Sequence, residues 1–184
     1  MNFQLKVKMV ISLEKAYRFA KKNHEGQVRK FSKKLYLTHV VRTAKIVLHY
    51  TNDETIVAAA LLHDIVEDTD IEIEEIYREF GNEICVIVKQ LTLVKGARQK
   101  KIVLKEKVLR MSSKAKIVKL ADRTANVIGL FNPNVPKKFI NKYISETEYV
   151  FGGDIIDNND FKSIQLMLWG KLFKVIKILK IKFN

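Results

Sequence analysis

Proline, glycine and cysteine are scarce in these 184 residues: two Pro, seven Gly and a single Cys. So few turn-forming residues leave the chain few places to reverse. Its apolar residues also recur at three-four spacing rather than alternating, so the expected fold is all-α. One Cys excludes an intramolecular disulfide; Cys85, inside Ile84-Cys85-Val86-Ile87-Val88, reads as a small buried hydrophobe in a reducing compartment. No apolar run approaches the ~18 residues of a membrane span, and the first dozen residues, with Lys6 and Lys8, hold no stretch of signal length. The expectation is a soluble, cytoplasmic protein without stable membrane association. There is no internal repeat and no low-complexity linker.

A chain of this length can bury one core, roughly 70% of its unfolded surface. We expect a single domain over residues 1–184, with a core at about 12–150 and a C-terminal helical segment at about 161–184 after the break Phe151-Gly152-Gly153-Asp154. The apolar spacing predicts helices over 12–23, 38–50, 54–64, 72–79, 82–93, 101–111, 114–131, 136–150 and 163–180. The last is apolar and basic, and is expected to pack on the core or on a second subunit, with Trp169 as ordinary core.

The formal net charge is +14, which raises nucleic acid as a partner. The distribution argues against it. Residues 53–83 carry eleven acids against Arg78 alone, while Lys21, Lys22, Arg29, Lys30, Lys33 and Lys34 form a basic group just before His39. A basic rim beside an acidic centre suits a compact polyphosphate, and no nucleic acid is expected.

The acidic centre is the densest chemistry in the chain. His63-Asp64-Ile65-Val66-Glu67-Asp68-Thr69-Asp70 puts one imidazole and four carboxylates at the end of the apolar run Val57-Ala58-Ala59-Ala60-Leu61-Leu62. Such a cluster is costly to desolvate unless a cation or a partner network neutralises it. If the helix continues, His63 sits over Glu67 and Asp64 over Asp68. One imidazole with carboxylates suits Mn²⁺, Fe²⁺ or Zn²⁺. Two ligands do not hold an ion firmly, and further donors could come from two other segments. His39 follows Thr38, a candidate N-cap, and so falls in a first helical turn; taken alone it reads as a hydrogen-bonded structural histidine rather than a ligand. Asp122 follows the apolar stretch Ala115-Lys116-Ile117-Val118-Lys119-Leu120-Ala121. Such an acid is usually exposed or capping unless it has a cationic partner.

Taken together, several segments resemble the HD-domain alarmone hydrolases of the RelA/SpoT type, and the layout is similar to the small stand-alone members. They are His24-Glu25-Gly26-Gln27-Val28-Arg29-Lys30, residues 36–39, residues 59–70, Phe80-Gly81, Leu91-Thr92, and Val118-Lys119-Leu120-Ala121-Asp122-Arg123 with Asn126. The resemblance implies a compact HD-domain helical bundle with His39, His63, Asp64 and Asp122 as metal ligands and Mn²⁺ as the ion. It implies that Glu67 and Asp68 handle the attacking water, and that Arg29, Lys30 and Asn126 lie beside the nucleotide. By position in the family, Lys95, Lys138, Lys142 and Tyr143 are candidates for diphosphate or base contacts. His24 is expected to orient its loop and His49 to lie at a helix end on the surface. The chain departs from the family at Ser32-Lys33-Lys34-Leu35, where relatives carry a Gly and then a Pro, at Val40, at Thr124-Ala125 and at Gly129. None of these removes a metal ligand.

The implied activity is hydrolytic removal of the 3′-diphosphate from (p)ppGpp or (p)ppApp, with a small nucleotide as partner and a homo-oligomer as an option. An NADPH 2′-phosphatase would use the same centre. A non-catalytic alarmone or nucleic-acid binding module, or a structural protein with an accidental His-Asp pair, are the other rivals.

Overall fold

The computed structural model describes residues 3–93 and 101–183, with side chains from residue 12 onward. Among the described residues there are nine helices: α1 (Phe3–Asn23), α2 (Leu37–Leu48), α3 (Glu54–Leu62), α4 (Ile65–Asp68), α5 (Ile73–Leu91), α6 (Lys101–Arg110), α7 (Ser113–Gly129), α8 (Lys137–Phe151) and α9 (Lys162–Phe183). The only pairing of extended backbone among them is an isolated antiparallel bridge between Val28 and Leu35.

The bundle is organised around α3 and α7. Every residue of α3 from 56 to 62 is buried, as an all-apolar helix in water must be. Its start is fixed by Asp53, whose carboxylate accepts from the N–H groups of Thr55 and Ile56 at 3.0 and 3.3 Å; such a cap is worth about 1 kcal/mol. Helices α1, α2, α5 and α7 pack around α3, and α9 covers the opposite flank of α7. Leu168, Leu172, Ile176 and Leu179 of α9 are buried there, so the basic, apolar C-terminal segment packs on the core. Trp169 donates from Nε1 to the carbonyl of Phe151 at 2.7 Å. Cys85 is buried in α5. No helix of the described residues is long and apolar enough to cross a membrane.

Three local expectations are corrected and one is borne out. Helix α1 begins at Phe3 rather than at residue 12; no Gly or Pro interrupts residues 3–23. The expected helices 72–79 and 82–93 are borne out as two helical runs within α5, kinked at Gly81, whose non-helical φ of 80° is open to glycine without strain. Thr38 is not an N-cap: Tyr36 holds that position, and the Thr38 hydroxyl instead donates to the Leu35 carbonyl at 2.7 Å inside the first turn. The helix expected over 54–64 stops at Leu62, and a separate short turn, α4, follows.

The segment between α1 and α2 closes on itself. Arg29 N–H donates to Lys34 O at 2.8 Å and Lys33 N–H to Arg29 O at 3.0 Å. Lys33 is the one described non-glycine residue in the left-handed region, with φ 55°. This tight loop sets Arg29 against Asn126 of α7.

Candidate metal centre and its cavity

The break between α3 and α4 builds the centre. Side chains of neighbours on a regular helix diverge by ~100°, yet those of His63 and Asp64 meet. The backbone permits this because Asp64, at φ −102° and ψ 0°, leaves the helical spiral. His63 Nε2 lies 3.1 Å from Asp64 Oδ2 and 3.6 Å from Asp122 Oδ1. His39, in the first turn of α2, brings its Nε2 within 3.4 Å of Asp64 Oδ2, 3.3 Å of Asp122 Oδ1 and 3.3 Å of His63 Nε2. Donor atoms of His39, His63 and Asp122 all lie within 4.8 Å of one another, all three residues are buried, and together they could hold a metal ion.

The donor chemistry fits a divalent cation. His63 Nδ1 sits 2.8 Å from the Ala60 carbonyl. That places its proton on Nδ1 and leaves the Nε2 lone pair facing the cluster. The centre also demands positive charge. Burial opposes a charged His63, yet Asp64 and Asp122 outweigh it and push its pKa up to about 10. Burial alone would raise the pKa of both acids; His63 for Asp64, and Lys119 with the imidazoles for Asp122, hold them well below the usual carboxylate range. Two nitrogens and two carboxylate oxygens make a borderline-to-hard set.

The surrounding contacts fix the donors. Tyr36 O–H donates to Asp64 Oδ2 at 2.7 Å. Burial, then Asp64 and Asp68, raise the phenol's pKa, so it remains a donor. Lys119 donates to Asp122 Oδ2 at 3.0 Å and Asn126 Nδ2 to Asp122 Oδ1 at 2.6 Å. Asp122 is therefore a buried acid with a cationic partner. Glu67 is half-buried and accepts from the Leu93 N–H at 3.1 Å. Burial raises its pKa against that hydrogen bond. Asp68 is exposed at the end of α4.

Beside the cluster opens a cavity of about 510 Å³ with His39 and Asn126 in its wall. Arg29, Lys30, Lys34 and Arg42 give it a cationic lining. Aromatic rings stand among them: Arg29 lies over Tyr36 and Lys30 over Phe31, Phe31 meets Phe139 edge-on at 4.9 Å, and Phe139 stacks on Tyr143 at 5.9 Å. Arg29 Nη2 donates to Asn126 Oδ1 at 2.7 Å. Arg29, Lys30, Asn126 and Tyr143 are thus gathered in one cavity. Lys138 and Lys142 are not: both are exposed on α8, since neighbours of Phe139 and Tyr143 on a helix point away from the cavity those rings line. Lys95 lies outside the described residues. His49 is exposed at the end of α2.

Reading the sequence gave no role to Lys119, Phe31, Phe139 or Arg42. Lys119 had a detectable signal, standing three residues before Asp122 on one helix face. The aromatic pair had none, because it joins residues more than a hundred positions apart in the chain.

Helices that close two imidazoles and two carboxylates beside a cavity with cationic lining define a helical bundle with a candidate metal centre. The HD domain family model matches residues 16–151. The chain belongs to the HD-domain family. It is 32% identical over 145 residues to the Drosophila melanogaster guanosine-3′,5′-bis(diphosphate) 3′-pyrophosphohydrolase MESH1, covering 76% of this chain and 80% of that one. The Xenopus tropicalis protein of the same name is 38% identical over 117 residues, covering 61% of this chain and 65% of its own. In structure the chain is similar to a metazoan SpoT ortholog that hydrolyses ppGpp and plays a role in starvation responses. The TM-score is 0.78 at 28% identity, over 90% of this chain and 94% of the other.

Proposed function

We propose that this chain is a metal-dependent nucleotide hydrolase that removes the 3′-diphosphate from (p)ppGpp or its adenosine counterpart, with Mn²⁺ as its ion and the cytoplasm as its place. The observation that carries the reading is the convergence of His39, His63, Asp64 and Asp122 beside a cavity lined by cationic and aromatic side chains. The relatives' names supply the substrate. A cavity of this volume lies in the usual range for a small-molecule site.

The four donors would hold the ion, which when bound supplies Lewis acidity toward water and a phosphoryl oxygen. Glu67 and Asp68 orient the attacking water and take up its proton. Glu67's raised pKa brings it nearer the range in which a carboxyl both accepts and returns a proton. The water oxygen bonds to the phosphorus attached to the 3′-oxygen. That P–O bond breaks, and the 3′-oxygen takes a proton as the diphosphate leaves. Arg29 and Lys30 offset phosphate charge and assist most where charge builds up during attack. Phe31, Phe139 and Tyr143 offer apolar faces to a base.

The test uses chelator-stripped protein with Mn²⁺ added back, and products from ppGpp, ppApp and NADPH resolved by ion exchange. Release of diphosphate only with metal is expected. Release of orthophosphate from NADPH alone would move the substrate to a 2′-phosphate, and no product from any of the three would refute hydrolysis. Replacing His63 or Asp122 by Ala should weaken Mn²⁺ binding by roughly 10²-fold or more, as loss of one of few ligands does.

A further inference from the structure

Among the described residues, one buried side-chain nitrogen or oxygen has no hydrogen-bond partner: Nε2 of His24. The residue is 2% exposed, so solvent does not serve it. Its other nitrogen, Nδ1, lies 2.8 Å from Gln27 Oε1. Gln27 in turn donates from Nε2 to the backbone carbonyl of Asp68 at 2.7 Å. Because the amide nitrogen is committed as a donor, Oε1 accepts, and the imidazole proton sits on Nδ1. The ring lies against Tyr36, with centroids 5.0 Å apart and planes at 31°, and Tyr36 holds Asp64 through its hydroxyl. Leaving Nε2 unpaired is costly, and a Leu or Phe filling the same space would avoid the cost. What the imidazole adds is the donor at Nδ1.

We infer that His24 is a positioning residue. Through Gln27 it fixes the backbone at Asp68, while Tyr36, on which it rests, fixes Asp64; the loop before α2 thereby brackets α4 and sets the spacing between the proton-handling carboxylate and the donor cluster. This rests on the function proposed above. Gln27 N–H also returns to His24 O at 3.2 Å and Tyr36 N–H to Gln27 O at 2.8 Å, so the three side chains hang from one folded loop.

The experiment compares wild type with His24→Phe, which keeps a ring but no donor, His24→Asn, which keeps a donor at the Nδ1 position, and Gln27→Leu. With ppGpp and Mn²⁺, His24→Phe and Gln27→Leu should lower kcat by roughly 10–100-fold, the usual cost of removing such an outer partner, while KM and the Mn²⁺ dissociation constant stay within about twofold. His24→Asn should recover most of the loss. In the metal-free proteins, amide exchange at Asp68 and Thr69 should speed up in His24→Phe and Gln27→Leu but not in His24→Asn. Unchanged kcat in both variants, an Asn variant as impaired as the Phe variant, or KM and metal affinity failing in step with kcat would overturn the assignment. If wild type hydrolyses no nucleotide, the functional reading fails by itself. Exchange then decides the bracket, and unaltered exchange in His24→Phe and Gln27→Leu overturns it.

Discussion

Lys119 and Asp122 stand one turn apart on α7 and meet at 3.0 Å, with the ammonium on Oδ2 while Oδ1 faces the two imidazoles. The carboxylate therefore divides its two oxygens between a fixed cation and the cluster. Burial works against the Lys119 charge, but Asp122 outweighs it and keeps the ammonium protonated. Lys119→Met should cost the metal-free protein about 2–4 kcal/mol, because it removes one partner of a buried pair. A bound divalent ion would restore much of the missing positive charge. The rise in Tm on adding Mn²⁺ should therefore be larger in Lys119→Met than in wild type, and equal increments in calorimetry would refute this account.

Glu67→Gln separates chemistry from metal binding. Glu67 is tied to the Leu93 N–H rather than to a histidine. Its amide should retain the ion but lose turnover by roughly 10²–10⁴-fold, the worth of a general acid–base group. Measured metal content falling together with kcat would make Glu67 a ligand.

Arg29 distinguishes a nucleotide from a nucleic acid. Its guanidinium lines a cavity of about 510 Å³ and donates to Asn126, a volume usual for a small-molecule site. Arg29→Ala should lower kcat/KM for the nucleotide by roughly 10–100-fold, the loss of one or two charge-assisted hydrogen bonds, with RNA retention unchanged. Sub-micromolar RNA binding that falls by roughly 10³–10⁵ between ~50 and ~200 mM salt, without nucleotide hydrolysis, would reverse the assignment.

Asp157 links pH to stability. It accepts from Gln165, the buried Lys116 and Ser113. These contacts outweigh its desolvation and lower its pKa from the ordinary value. A folded-state pKa below the unfolded one means that folding favours the ionised form. The stabilisation is therefore present above about pH 4, the unfolded carboxylate value, and is lost as pH falls through the folded one. Asp157→Asn should be less stable than wild type by ~1.5–3 kcal/mol at pH 7, with the gap closing in acid. A gap that persists undiminished at pH 2 would show that the loss is not electrostatic.

The helices were legible because nothing in the sequence contradicts them: few Gly and Pro, three-four spacing, and a break at Gly81 that the chain marks with a residue suited to positive φ. The convergence of His39, His63, Asp64 and Asp122 was legible only through the family motifs. Periodicity places His63 over Glu67 only if the helix runs on, whereas α3 ends at Leu62 and His63 and Asp64 meet at its terminus. Helix spacing carries no information about such a break. Nor does it place Phe31 against Phe139, a contact set by how the loop before α2 meets α8. His24 and Gln27 stood in a matched segment, but their value lies in a bond to the backbone of Asp68, and backbone partners leave no mark in residue identity.

Asn126 has one consequence for how ligands communicate. Its amide accepts from Arg29 with the oxygen and donates to Asp122 with the nitrogen, at 2.7 and 2.6 Å, so one planar group is shared between the anion seat and the cation seat. An anion that draws Arg29 away releases the amide oxygen and alters how firmly Asp122 is held. An ion that draws on Asp122 acts back along the same group. Thermodynamic reciprocity then requires each ligand to change the other's affinity by the same factor. With an ion and a nucleotide bound as proposed above, Asn126 would couple the two seats, and the size of that factor would measure how tightly the one site is joined to the other.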